Sequence, residues 1–152
     1  MLFMKKYLVI GVPGMILGST LVWASCSKDS DPELSRKEMM VGTWSIVQVA
    51  HDNNNNGVTD PSEILTVPPG STDVNTETFN ANGTGTVRIK NAATDTTIAM
   101  TWAITGGDAY LEVTVPGVPT VNNKILNMTQ TELQLENSTN PDGKDWTWLK
   151  KQ

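Results

Sequence analysis

Hydrophobic and polar residues alternate along much of this chain. Val87 and Ile89 fall on one face of "TVRIK", and Ile98, Met100, Trp102 and Ile104 on one face of "TIAMTWAIT". Leu111, Val113 and Val115 repeat the pattern in "YLEVTV", as do Leu133 and Leu135 in "ELQLE" and Trp146 and Trp148 in "DWTWLK". A period of two marks a strand with one face buried and the other wet. Turn sequences separate the runs: "NANG" before Thr84, "TGGD" at 105–108 and "NPDG" at 140–143.

The pattern predicts about eight strands, over 43–50, 73–80, 84–91, 96–105, 109–115, 120–128, 131–137 and 144–150. Short strands at regular spacing connect antiparallel. The fold class is therefore all-β, an up-and-down barrel or, as the alternative, a β-sandwich. Closure into a barrel removes the edges that an exposed β domain must otherwise protect. Ahead of the strands, "DPELSRKEMMVG" predicts one short helix, with Asp31 as cap, Pro32 in the first helical position and Gly42 at its end. Beyond Gly42 the helical signal shrinks to a single turn at "DPSEIL".

The first 25 residues break the pattern. Lys5 and Lys6 precede the apolar run "YLVIGVPGMILGSTLVWA", and small residues then lead to Cys26, the only cysteine. These are the physical signs of a secretory signal peptide. Pro13 and the glycines around it make the run a poor membrane-spanning helix. A lone cysteine cannot form an intramolecular disulfide, and its place here suggests another use. "ASC" resembles a bacterial lipobox, in which cleavage precedes a cysteine that then carries the lipid. The organisation expected is a signal peptide over 1–25, acylated Cys26 with a polar tether over 26–32, and one folded domain over 33–152. Acyl chains would hold it to a membrane by burying methylenes at about 0.8 kcal/mol each. "CSKDSDPE" is similar to the export signal of Gram-negative lipoproteins sent to the outer face of the outer membrane. The expected location is that surface; the plain alternative for the segment is a solvated tether.

Charge narrows the partners. The chain carries 11 basic and 16 acidic groups, net −5, and loss of Lys5 and Lys6 takes the net charge to −7. That argues against nucleic acid as a partner and against electrostatic docking on anionic lipid. Catalytic chemistry is sparse. His51 is the only histidine, at a strand end, and no G-x-S-x-G nucleophile motif is present. No enzymatic activity is expected.

One stretch carries a sharper signal. "DNNNNGVTDPSE" places Asp52, Asn54, Asn56, Val58, Asp60 and Glu63 at the ligand positions of a calcium loop, with Gly57 at the sharp turn. Calcium is the one cofactor this chain suggests. The same residues have a plainer reading. Asn56-Gly57 is a turn signal, and Asp60, Pro61 and Glu63 form a capped helical start. The two readings are compatible, because a calcium loop delivers its last acid from the first turn of a helix.

The segments "MVGTWSIVQV", "TETFNANGTGTVRI", "TELQLE" and "DWTWLKK" resemble, in order and spacing, the lipocalin-like domain of bacterial lipoproteins. Gly42-Thr43-Trp44 resembles the G-x-W signature that opens the lipocalin barrel. The resemblance covers about residues 38–150. It implies an antiparallel barrel of about eight strands, with Trp44 at its closed end beside a basic residue of the last strand. Lys150 and Lys144 are the candidates for that residue. It also implies an interior lined by Met100, Trp102, Trp146 and Trp148, either filled or holding one small ligand. The function implied is non-enzymatic binding of a small apolar molecule or of a surface protein. The alternative, tied to the sandwich, is an adhesion or assembly module stiffened by its calcium loop.

Overall fold

The computed structural model describes residues 33–140 and 142–152. The signal segment, Cys26, the tether and the cap placed at Asp31 and Pro32 all lie outside the described residues. Nine strands follow a short helix, α1 (Arg36–Met40). They are β1 (Gly42–His51), β2 (Ile64–Thr66), β3 (Val74–Phe79), β4 (Thr84–Lys90) and β5 (Asp95–Thr105). The rest are β6 (Tyr110–Thr114), β7 (Val121–Met128), β8 (Glu132–Asn137) and β9 (Asp145–Lys151). Eight match the predicted strands to within one residue at each end. β2 was not legible, because its three residues are all exposed and carry no alternation.

From β3 to β9 each strand pairs antiparallel with the next, and β9 returns to pair with β1. β1 and β3–β9 thus close an eight-stranded barrel, and the sandwich alternative is set aside. β1 divides its other edge between two partners. Gly42 to Ser45 pair with β3, whereas Gln48 to Ala50 pair with β2. A bulge between Ile46 and Gln48 accompanies this parting. Such an inserted residue bends the strand and reverses the alternation beyond it.

The helix begins later than predicted. Its N-cap is Ser35, whose hydroxyl accepts from the Glu38 amide while Glu38 reaches back to the Ser35 amide at 2.8 Å. This reciprocal pair satisfies two donors that a bare helix start leaves open. The helix also stops short of Gly42: Val41 is extended and Gly42 already belongs to β1.

The core fills one end of the barrel. Trp44, Phe79, Met100, Trp102, Leu111, Ile125, Leu133, Leu135 and Leu149 are buried there, with Met40 of α1 closing over them. Phe79 meets Trp102 edge to face, 5.4 Å between centroids at 82°, a favoured aromatic geometry. Burial of such side chains at roughly 1.5–3 kcal/mol each makes this end the main source of stability.

Strand β9 corrects one expectation. Trp146 and Leu149 are both buried, three residues apart, and the β8–β9 ladder runs without a bulge between them. They therefore face opposite ways. Leu149 belongs to the barrel core, so Trp146 and Trp148 point outward and do not share the interior with Met100 and Trp102. Trp146 sits in an outer row with Ala50 and Ile64, and the buried Ala50 packs on that face.

Candidate functional site

The two ends of the barrel are built differently. At the closed end the Trp44 indole donates to the Met40 carbonyl at 2.7 Å, and the Trp102 indole donates to the carbonyls of Asn80 and Thr84. Each buried polar tip thus has a partner. Lys151 lies across Trp44, its Nζ 5.2 Å from the ring centroid and donating to the Met39 carbonyl at 2.8 Å. The cation is held by the ring face and by the last turn of the helix. The basic partner is therefore Lys151, not Lys150 or Lys144. Those two lie at the barrel surface, opposite Glu132 and Glu136 respectively.

Gly42 explains its place in the signature. A Cβ there would come within 2.6 Å of the Lys151 side-chain stem, and φ is +133°. Only glycine gives both the backbone conformation and the space for Lys151 to cross.

At the opposite end the inward-facing positions are less completely covered, although Ile46 and Val87 still pack against the edge of the core. Cross-strand partners share a face, so the register identifies them. Glu77 pairs with Trp44 and Val87, and Val87 with Ile98. Ile46 pairs with the core residue Leu149, and Ile89 lies two residues beyond Val87 on the same face. Ile46, Val87 and Ile98 remain half-buried, and Ile89 is 40 % exposed. Apolar side chains that point into a barrel and still meet solvent line a cup. Polar groups ring its mouth. His51 Nδ1 lies 2.7 Å from Asp145, and Asp145 also accepts from Asn140.

Glu77 is the residue that alternation in "VNTETF" could have revealed, since it shares a face with buried Phe79. Its carboxyl is half-buried and has no hydrogen bond or ion pair among the described residues. Burial raises its pKa to about 7, because removal from water penalises the charged form.

The Asn-rich loop adjoins the mouth. Asp52 is 2 % exposed, and its two oxygens accept from the amides of Asn56 and Gly57 at 3.0 and 2.8 Å. Glu63 accepts from the amides of Asn53 and Asp60. Asn54 and Asn56 both donate their side-chain N–H groups to Asp60, while their amide oxygens accept backbone N–H bonds. Val58 is exposed. The structure gathers the expected ligand residues into one loop, but turns them on one another. Among the described residues, no three acidic, histidine or cysteine side chains converge on a point where a metal ion could sit.

Met100 and Trp102 lie in the filled part of the interior, not around the cup. Outside the barrel, a groove of about 610 Å³ runs where β1 parts from β3. Val47, Val67, Pro68, Pro69 and Val74 give it an apolar wall, with Asp73 and Lys150 at its margins.

The sequence profile of the lipocalin-like domain matches residues 40–135. The chain belongs to the lipocalin-like family. No curated protein sequence matches it. Among solved structures it is similar to lobster apocrustacyanin A1, at 10 % identity and a TM-score of 0.46, over 77 % of this chain and 62 % of that one. It is also similar to the bovine lipocalin allergen Bos d 2, at 16 % identity and 0.45, over 78 % and 76 %. A bovine odorant-binding protein, a deswapped triple mutant, gives 15 % and 0.41, over 75 % and 74 %. In this lipocalin-like chain the glycine and tryptophan of the opening strand, the crossing lysine and the capping helix form one unit that shuts the closed end. Lipocalin-like barrels commonly serve as binding proteins for small hydrophobic molecules.

Proposed function

We propose that this protein is a lipid-anchored, non-enzymatic binding protein of the outer-membrane surface of a Gram-negative bacterium, holding a small apolar molecule in its cup. The observation that carries the reading is the contrast inside the barrel. One half is filled by side chains, whereas at the other Ile46 and Val87 pack only partly against that core, and Ile89 and Ile98 point inward with part of their surface accessible. Apolar surface left facing a concavity is stabilised by an apolar occupant, at about 25 cal/mol for each Å² removed from water. The fluorescent apolar probe N-phenyl-1-naphthylamine tests the reading. Saturable enhancement that Val87→Asp abolishes is expected; absence of any saturable signal would remove the ligand-binding reading.

Cys26 would supply the anchor. Acylation there explains a lone cysteine directly after an apolar leader, and among the described residues no helix is long and apolar enough to cross a membrane. Cys26→Ser is expected to release the protein from membranes and to stop palmitate labelling. Labelling that persists in the serine variant refutes the anchor.

Calcium binding by the 52–63 loop rests on its spacing. To take up the ion, Asn54 and Asn56 would turn their amide oxygens inward and give up their bonds to Asp60. Thermal melts decide it. Millimolar calcium should stabilise wild type by about 1.4 kcal/mol at ten times Kd and leave Glu63→Gln unchanged. Equal melting of both proteins, with calcium and with chelator, leaves a loop held by its own hydrogen bonds.

A further inference from the structure

We propose that Glu77 anchors the head group of the ligand, and that the ligand is an amphiphile with an apolar body and a protonated amine. The inference rests on the reading that the cup binds an apolar molecule, and adds the chemistry of its polar end.

The geometry comes from the ladder. Glu77 lies between Trp44 on β1 and Val87 on β4, two residues from buried Phe79, and so points into the barrel. Facing inward around it are Trp44 and Ile46 on β1, Val87 and Ile89 on β4, and Ile98 and Met100 on β5. None of these can ionise or donate to it, apart from the Trp44 indole N–H, which is committed to Met40. The other charged or titratable inward groups are also engaged. Lys151 is bound to the Met39 carbonyl and the Trp44 ring, and His51 and Asp145 are bound to each other at the mouth. Glu77 is left facing the cup without a protein partner among the described residues.

A carboxylate in such a place is costly unless something pairs with it. Its raised pKa, about 7, is the sign of that cost. A valine or threonine would serve a barrel wall without it. An ammonium group brought in by a ligand would replace the lost hydration with charge-assisted hydrogen bonds, while its hydrocarbon body covered Val87, Ile89 and Ile98. A fatty acid of the same length would bring a second carboxylate against Glu77 and be rejected by like-charge repulsion. The apolar wall gives affinity, and Glu77 gives the sign of charge.

Displacement of N-phenyl-1-naphthylamine from the purified protein by dodecylamine, dodecanol and dodecanoic acid is the test. At about pH 8, dodecylamine is expected to compete at roughly 10-fold lower concentration than dodecanoic acid, the effect of about one good charge pair. The preference should shrink at about pH 5.5, where Glu77 is protonated, and vanish in Glu77→Gln. Wild type alone keeps the test decisive even where the variant fails to fold. Three outcomes overturn the proposal: equal competition by amine and acid, a preference that survives Glu77→Gln, or one that does not change with pH. In each of these the probe still binds, so the cup reading stands. If no probe binds at all, both fall together.

Discussion

The closed and open ends of this barrel solve opposite problems with the same strands. At the closed end the inward positions are apolar and packed except for Lys151, and the polar atoms are paired: Trp44 with Met40, Trp102 with two carbonyls, Lys151 with Met39. At the open end the inward positions mix isoleucine and valine with Glu77, His51 and Asp145, and a hydrogen-bonded loop stands in for a core. The difference teaches where stability and function reside. Removing side chains from the closed end should cost stability; changing the open end should alter binding and the response to pH.

The largest effect should come from Trp44→Ala. Emptying a fully buried indole site is expected to cost about 3–5 kcal/mol, and the change also strips Lys151 and Met40 of a partner. Trp148→Ala, on the outer face, should cost under about 1 kcal/mol in the same urea melts. Similar losses for the two tryptophans would break the comparison.

Asp52→Ala tests whether the open-end loop is held from within. Asp52 is buried and carries the amides of Asn56 and Gly57, so its loss should cost about 2 kcal/mol. Faster hydrogen exchange should appear at 53–58 and not around Trp44. Protection lost equally at both ends would mean the loop is not a separate unit.

A smaller and pH-dependent effect is expected at Glu77. Its folded pKa of about 7 lies above the ordinary 4.5. The folded state thus holds the proton more tightly than the unfolded state. Stability linked to this group is full below about pH 4.5 and lost as pH rises through 7. Glu77→Gln should therefore gain about 1–2 kcal/mol over wild type at about pH 8 relative to about pH 4, less than the full shift because water reaches the open cup. Parallel stability profiles for the two proteins would show that Glu77 is solvated.

Much of this architecture was legible from alternation. The buried faces of β5, β6 and β8 follow directly from Met100 and Trp102, Leu111, and Leu133 and Leu135. β9 was not legible for a physical reason. Its outer face is also covered, since Trp146 packs beside Ala50, so apolar residues occur on both faces and the bulkier pair misleads. The choice of Lys151 over Lys150 depends on a one-residue register that only the ladder fixes. The helix start at Ser35, with Glu38 completing its capping box, was a second capping signal in the sequence, passed over in favour of Asp31 and Pro32. Of the site, Gly42, Trp44 and the 52–63 loop stood out by motif. Glu77 carries no motif; alternation with Phe79 hints at its inward aim, and pairing with Trp44 and Val87 fixes it.

The most direct test of the division between a filled end and a binding end is methyl NMR during titration with N-phenyl-1-naphthylamine. Shifts are expected at Val87, Ile89 and Ile98, with Leu111, Leu133 and Leu149 unmoved. Shifts confined to the closed-end leucines, or to Val47, Val67 and Val74 of the outer groove, would contradict it.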